Sequence, residues 1–580
     1  MGLARLVDWA VGRPSKGKVA LLAIAGVPLL VVLVVLSVVL MIAFQNSSHS
    51  TWTLQNFTEL YTNAFAYKAL LNTAGFAVIS VLVSCFFAVP IAWALERTDL
   101  PGRNLVYTLM TVGVIIPAFF MAMGWLVLLH ERMGIVNVWL KQWLPFHYSP
   151  LDIGGVWGMG WVSGLSLAPL AFIMIAASFR AMDPSLEEAA QIHGMNVFSR
   201  IRRITGPLAW PSVLGTGVYI FVIGLSSFDI PAVMGLGSRT FTFSTFVYSL
   251  ALPTNDLPNY GIVGASSALM LIIGLGVSFY YVRVIRRSHR FAVVTGRNYR
   301  PSLAALNRPQ AAGWWCFIAL LLGLKLVVPF LALVWISLTP FLQQPSQAAL
   351  GFVSLNNFSN IPWEALLSSL KTTAILALTV PTVTCILGLA ISWVVVRSGL
   401  KIASAVDIIA FLPHAVPSLI FAVGVLFISF FWLPEPINPY GTVQILIITF
   451  VIIRLSFATR MYNSAFLQIH RELDEAGYVS GLGDLRVLWR ILLPLLRPAI
   501  VISWLWMAIL ASRELTVAVI LTTSTKNVTT PVFIWGLWQN GKLNESAAIA
   551  LVFLAMLAPL IVAFFWATNR RGENLNDVRQ

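Results

Sequence analysis

The sequence predicts an all-α polytopic membrane protein, with about twelve transmembrane helices arranged as two six-span parallel repeats. Three observations predict it. The 580 residues are 58% hydrophobic and only 10% charged, with a mean hydropathy of +0.84, outside the range of water-soluble domains. Apolar runs near or above the ~20 residues needed to cross the hydrocarbon core recur from end to end. Two loops also repeat one another in register: Glu188, Ala189, Ala190, Gly194, Ile204 and Pro207 match Glu475, Ala476, Gly477, Gly481, Ile491 and Pro494, and 475 − 188 and 481 − 194 both give 287. A charged, Gly-punctuated segment duplicated in so apolar a chain marks a docking surface, because lipid-facing segments drift freely while a docking surface cannot.

Taken in order, the apolar runs cover about 19–44, 66–95, 105–129, 155–180, 208–234, 260–282, 314–338, 366–396, 404–432, 441–463, 497–522 and 545–568. The first is longer than a signal-peptide core and lacks a small-residue cleavage site after it, so it reads as a retained anchor. Lys and Arg gather on alternate connections, which places both termini and both loops on the cytoplasmic side. Residues 1–282 form a first half, 283–309 a basic cytoplasmic linker, and 310–580 a second half. Upstream of the loops the halves align at a spacing of 300 (397 − 97): Asn72 and Thr73 match Thr372 and Thr373, Trp93 matches Trp393, Arg97 matches Arg397, and Pro117 matches Pro417. The first half must therefore hold 13 extra residues (300 − 287), expected within 130–154. An even number of spans per repeat gives both halves the same orientation, related by a pseudo-two-fold axis along the membrane normal.

A net charge of +15 would suggest nucleic acid in a soluble protein. Here the basic residues follow the topology of the loops, and no nucleic-acid partner is expected beside the membrane lipid. Cys85, Cys316 and Cys385 lie in apolar stretches without a second Cys or a His at ligand spacing, so they read as packing residues, with no metal site. The stretch Gly12 to Val19 approaches a phosphate-binding loop. It lacks the Ser/Thr metal ligand and precedes a membrane span, so it is an accidental match and any nucleotide hydrolysis must come from another chain.

Within the first loop, about 183–207, Asp183 and Pro184 read as a helix start, N-cap followed by first helical residue. The short helix runs to Gly194, a residue suited to a left-handed terminating turn. A second basic turn, Val197 to Ile204, precedes Pro207, which is expected to open the next span. The second loop, about 470–494, repeats the pattern through Arg486, Arg490 and Ile491 to Pro494. These residues resemble the coupling loop of ABC importer permeases, a Glu-Ala-Ala, Gly, Ile, Pro pattern, with two departures: Gly206 where the pattern has Leu before Pro, and Gly477 in place of the second Ala. Together with two fused halves, the run from Asp183 to Ala190 and Arg513-Glu514-Leu515, the chain resembles the ferric-iron importer permeases of the bacterial inner membrane. The resemblance implies two cytoplasmic ABC ATPase subunits that bind ATP and Mg and receive one loop each. It also implies an external, periplasmic substrate-binding protein, and a permease that is not itself an enzyme.

Asp229 and Glu514, ionisable residues inside spans, are candidates for a mildly acidic pathway lining, against a reading in which they are structural. His414, between Pro413 and Pro417, is a further pathway candidate beside a structural alternative. Pro117 and Pro417 are candidate flex points. Tyr, His and carboxylates would suit ferric iron, but no cluster at ligand spacing appears, so recognition is expected to lie with the binding protein. Relatives of this loop pattern that import thiamine, phosphonates, sugar phosphates or polyamines remain alternatives. A twelve-span secondary transporter is the rival of another class, and a membrane-bound enzyme is a third reading without a visible catalytic constellation.

Overall fold

In the computed structural model, ten helices among the described residues are long and apolar enough to cross a membrane, and two further pairs would bring the number to twelve. The described residues are 16–45, 51–143, 151–182, 185–252, 258–288, 303–433, 438–522 and 527–577. Asp183, Pro184 and most of the basic linker therefore lie outside them. Among the described residues, β-structure is limited to two isolated bridges. The all-α reading of the sequence holds.

The two exceptions to straight spans fall at the matched prolines. Helix Arg103–Ile115 meets Ala118–Leu129 at 87°, and Ala403–Ala415 meets Ser418–Trp432 at 99°. Ile116 and Val416 are extended because a proline's ring clashes with an α-helical residue before it. The candidate flex points thus sit at near-right-angle corners. Spans expected at 208–234 and 497–522 also end earlier than read. Their helices end at Ser226 and Ser512, and separate short helices follow, Phe243–Ala251 in the first half and Thr516–Leu521 and Thr530–Gln539 in the second. A run of apolar residues reports burial or lipid contact but not direction, so hydropathy cannot see either break.

Corresponding parts of the halves match closely. Helix Val156–Ala181 and helix Val443–Leu467 begin at residues 287 apart, while the helices before them align at 300. The 13 extra residues fall between Leu129 and Val156, where, among the described residues, only the first half carries a helix, Ile135–Trp143. Thr73 accepts a hydrogen bond from the N–H of Phe243 at 2.7 Å, and Thr373 accepts one from Thr530 at 2.9 Å. Each aligned threonine therefore satisfies an otherwise unpaired donor at the start of an equivalent helix.

By packing, the chain forms two units that interleave along the sequence: one takes Met1–Met41, Leu367–Pro531 and Met556–Gln580, the other Ile42–Leu366 and Val532–Ala555. In the first of these, Leu21, Ala25 and Leu29 share a buried cluster with Trp393, Leu455, Tyr462 and Leu492. In the second, Phe317 stacks on Phe87 with ring centroids 5.3 Å apart, and Pro329 leaves no room for a side chain at Gly124. The first helix of each sequence half is thus packed with the body of the other half. Both contacts are apolar and close, which is how helices associate where lipid removes the hydrophobic driving force.

Candidate functional site

Each duplicated loop is a short helix, a left-handed turn and a second helix that runs into a span. The first helix is Ser185–Ile192 in one loop and Glu472–Val479 in the other. Gly194 and Gly481 both adopt a left-handed backbone, with φ of 78° and 79°. Around Gly194, Met195 N–H reaches Ala190 O at 3.0 Å and Gly194 N–H reaches Gln191 O at 2.9 Å. Around Gly481, Leu482 N–H reaches Gly477 O and Gly481 N–H reaches Tyr478 O, both at 3.0 Å. This paired closure satisfies the last carbonyls of a helix and needs φ > 0 at the glycine. The glycines singled out from the sequence therefore set the geometry of both turns.

Pro207 and Pro494 do not open fresh helices. Val197–Ser226 and Asp484–Ser512 are each continuous, passing through one wide turn at Ile201–Thr205 and Leu488–Leu492. Gly206 N–H bonds to Ile201 O and Leu493 N–H to Leu488 O, five residues back. The wide turn lies just before a proline that lacks an N–H and would press its ring on the carbonyl four residues earlier. Gly477, the departure from Ala, has a local cause as well: the Cδ1 of Ile491 lies 2.7 Å from where its Cβ would be.

Both loops are fastened by an arginine. Arg97 donates to the carbonyls of Phe179 at 3.0 Å and Met182 at 3.4 Å. Arg397 donates to Phe466 at 2.9 Å and Ile469 at 2.7 Å. Nε of Arg97 lies 3.5 Å from Glu187, and Nε of Arg397 lies 3.2 Å from Asp474, with the guanidinium side chains only 6% and 4% exposed. Neither Nε makes a hydrogen bond, so direct bonding goes to the helix-end carbonyls and the acid contributes charge. A cation at the last carbonyls of a helix is favoured by those carbonyls and by the helix dipole. The arginine thereby ties the end of one span to the helix entering the loop. Beside the first latch, Ala304 at the end of the linker pairs by backbone with residues 97 and 99.

The sequence-derived loop residues divide by position. Ala190 is buried, Glu188, Ile204 and Ile491 are half-buried, and Ala189, Gly194, Pro207, Glu475, Ala476, Gly481 and Pro494 are exposed. Sequence reasoning missed the acids of the latch, Glu187 and Asp474, which precede the glutamates it chose; their common spacing of 287 from one loop to the other was the available signal. It also missed a repeated set of exposed apolar side chains. Ile192 and Val479 are 85% and 90% exposed, and Leu186 with Leu473 and Phe198 with Leu485 are exposed at matching positions. Exposed apolar residues that recur in register mark an interaction surface.

The pathway candidates are not equivalent. Glu514, just past helix Leu493–Ser512, is ion-paired with Arg454 from the middle of helix Val443–Leu467. Arg454 thus lies inside a span and not on a basic connection. Asp229 sits half-buried after the break that follows Ser226, and His414 sits half-buried at the end of Ala403–Ala415, its ring 5.3 Å from Phe411. The register partner of Glu514 is Ser227, so the ion pair belongs to the second half alone. Among the described residues, no group of three or more His, Cys, Asp or Glu is placed to hold a metal ion.

Two fused, duplicated helical halves with a stapled, apolar-tipped loop in each define a transport permease. The chain matches the family described as the binding-protein-dependent transport system inner membrane component, over residues 88–290 and again over 384–570. It belongs to that family, as a multi-pass ABC importer permease subunit. It is 24% identical to the ferric transport system permease protein FbpB of Actinobacillus pleuropneumoniae, over 86% of this chain and 70% of that one. It is likewise 24% identical to a putative ferric transport system permease protein of Haemophilus influenzae, over 78% and 69%. The molybdenum transport system permease protein ModB of Haemophilus influenzae is 30% identical, over 30% of this chain and 74% of its own.

Proposed function

We propose that this permease carries ferric iron inward across the bacterial inner membrane, driven by two cytoplasmic ATPase subunits that seat one on each loop. The observation that carries the coupling role is the duplicated left-handed turn, held from behind by Arg97 or Arg397 and tipped by Ile192 or Val479. A latched loop continuous with a span transmits a push on its tip into the membrane as a rigid lever. ATP and Mg are bound by the ATPase subunits, both chain termini lie in the cytoplasm, and substrate arrives on an external binding protein. Iron is the reading favoured by relatives that cover most of the chain and are described as ferric transport permeases. Relatives for molybdenum make oxyanions the competing cargo. On this reading iron passes through without being retained, and its recognition lies with the binding protein.

The test is uptake by proteoliposomes containing this chain, its ATPase and its binding protein. Gly194→Val with Gly481→Val places a branched side chain at φ near +78°, at a cost of roughly 1–2 kcal/mol per site. ATP-driven uptake of radioactive iron is expected to collapse and ATPase co-purification to weaken. Undiminished uptake in the double variant would end the coupling role, and uptake competed by molybdate but not by ferric iron would end the iron reading.

A further inference from the structure

The first half carries an apolar groove of about 480 Å³ between helices Ala64–Arg97, Gly206–Ser226 and Tyr260–Ser288. Its floor is backbone: no atom lies within 4 Å of where a Cβ would sit on Gly276, and only Val81 approaches that point on Gly217, at 3.4 Å. The walls include Leu82 and Tyr280, 62% and 52% exposed. An unfilled hollow forfeits the dispersion contacts that a close-packed surface gains, and a membrane surface offers hydrocarbon chains to fill it.

The second half answers the same position with its own side chain. Trp504 stands 287 residues after Gly217 and Thr382 stands 300 after Leu82. The indole N–H of Trp504 donates to Thr382 Oγ1 at 3.0 Å. The indole bridges two helices where the first half leaves glycine opposite leucine. Gly276, Tyr280 and Arg283 follow at helical spacing on one face, and Arg283, the first charged residue after the apolar run 260–282, is exposed. A cation at the mouth of a hydrocarbon-lined groove is complementary to a phosphate that heads an acyl chain.

We propose that this groove is a binding site for one anionic phospholipid, its acyl chain against Gly217 and Gly276 and its phosphate at Arg283. The proposal concerns a face of the first half only and stands apart from the reading of the cargo. Native mass spectrometry of the purified chain, titrated with phosphatidylglycerol and separately with phosphatidylethanolamine, tests it. The wild type is expected to retain one more phosphatidylglycerol than Gly217→Trp, which grafts the second half's plug. Arg283→Gln is expected to bind the two lipids equally, and Trp504→Gly to gain one bound lipid. Should Gly217→Trp fail to fold, Gly276→Met blocks the same groove from the opposite helix. An unchanged lipid count in the blocked variant, or an unchanged preference for phosphatidylglycerol in Arg283→Gln, overturns the proposal.

Discussion

The two loops share a backbone and differ in what surrounds it. Both close on a left-handed glycine, both pass through a wide turn ahead of a proline, and both are latched by an arginine bonded to two helix-end carbonyls. The side chains are less constant. In the first loop Thr205 donates to Glu187 at 2.9 Å and Arg200 to Gln191 at 2.8 Å. In the second, Tyr478 donates to Asp484 at 3.1 Å, burial pushes the Tyr478 phenol up from its ordinary value, and Trp489 is exposed where the first has Arg202. Duplication has kept the parts that fix shape and let the local polar partners vary. Shape, then, is what the loops have in common to offer a partner.

The latch is the sharpest place to break that equivalence. Removing the guanidinium takes a charged donor from two helix-end carbonyls and a counter-charge from the neighbouring carboxylate in a largely buried setting. Arg97→Ala and Arg397→Ala are each expected to cost roughly 3–5 kcal/mol, read as a lowered thermal midpoint and the loss of ATPase stimulation by the binding protein. Equal losses support two equivalent levers; a silent variant in either loop would show that only one transmits force.

The next effect separates the halves. Arg454 and Glu514 pair in the second half, with side chains 17% and 12% exposed, and the first half has no such pair at that position. Glu514→Gln is expected to destabilise by about 2–3 kcal/mol by leaving Arg454 uncompensated, whereas Arg454→Met with Glu514→Leu recovers more than half of that loss. If the double replacement keeps the stability but abolishes uptake, the pair touches the path of the cargo; if uptake survives, the pair is structural.

A smaller, shared effect comes from Thr73 and Thr373. Replacing either with valine leaves a helix-start N–H unpaired, for about 1–2 kcal/mol. The second-half loss is expected to be the larger, because the hydroxyl of Thr530 also contacts Thr373 at 3.0 Å. Hydrogen exchange at the Phe243 and Thr530 amides measures both, and equal exchange in the two variants would remove that asymmetry.

Much of this architecture was legible because it rests on short-range chemistry. Apolar runs located the spans, and the constant spacing located both turns, since Gly194 and Gly481 do the same backbone work wherever they stand. Proline was half legible: a break at Pro117 and Pro417 follows from their rings, but not the 87° and 99° corners, which depend on packing. Long-range pairings were the least visible. Nothing local in Glu514 indicates that its partner is Arg454, sixty residues earlier, and nothing in Leu21 or Leu29 says that they pack beside Tyr462. Arg97 and Arg397 were visible as an aligned pair, yet their function appears only when the helix-end carbonyls are brought to them.

The smallest expected effect decides which partner matters within a latch. Burial pushes the carboxyl of Asp474 above its ordinary value of 3.8, against the pull of Arg397 and Arg471. An acid whose folded value lies above its unfolded one binds a proton more readily in the fold, so its contribution to stability grows as pH falls through that window and is lost as pH rises through the folded value. Holding Asp474 ionised at neutral pH is therefore a cost that the nearby arginines only partly offset. Asp474→Asn is expected to lie within about 1 kcal/mol of the parent chain at neutral pH, far less than Arg397→Ala. It should also flatten the rise of the thermal midpoint on acidification toward the ordinary carboxylate range. An Asp474→Asn loss as large as that of Arg397→Ala would mean that the carboxylate holds the loop, and that the carbonyl bonds of Arg397 are incidental to it.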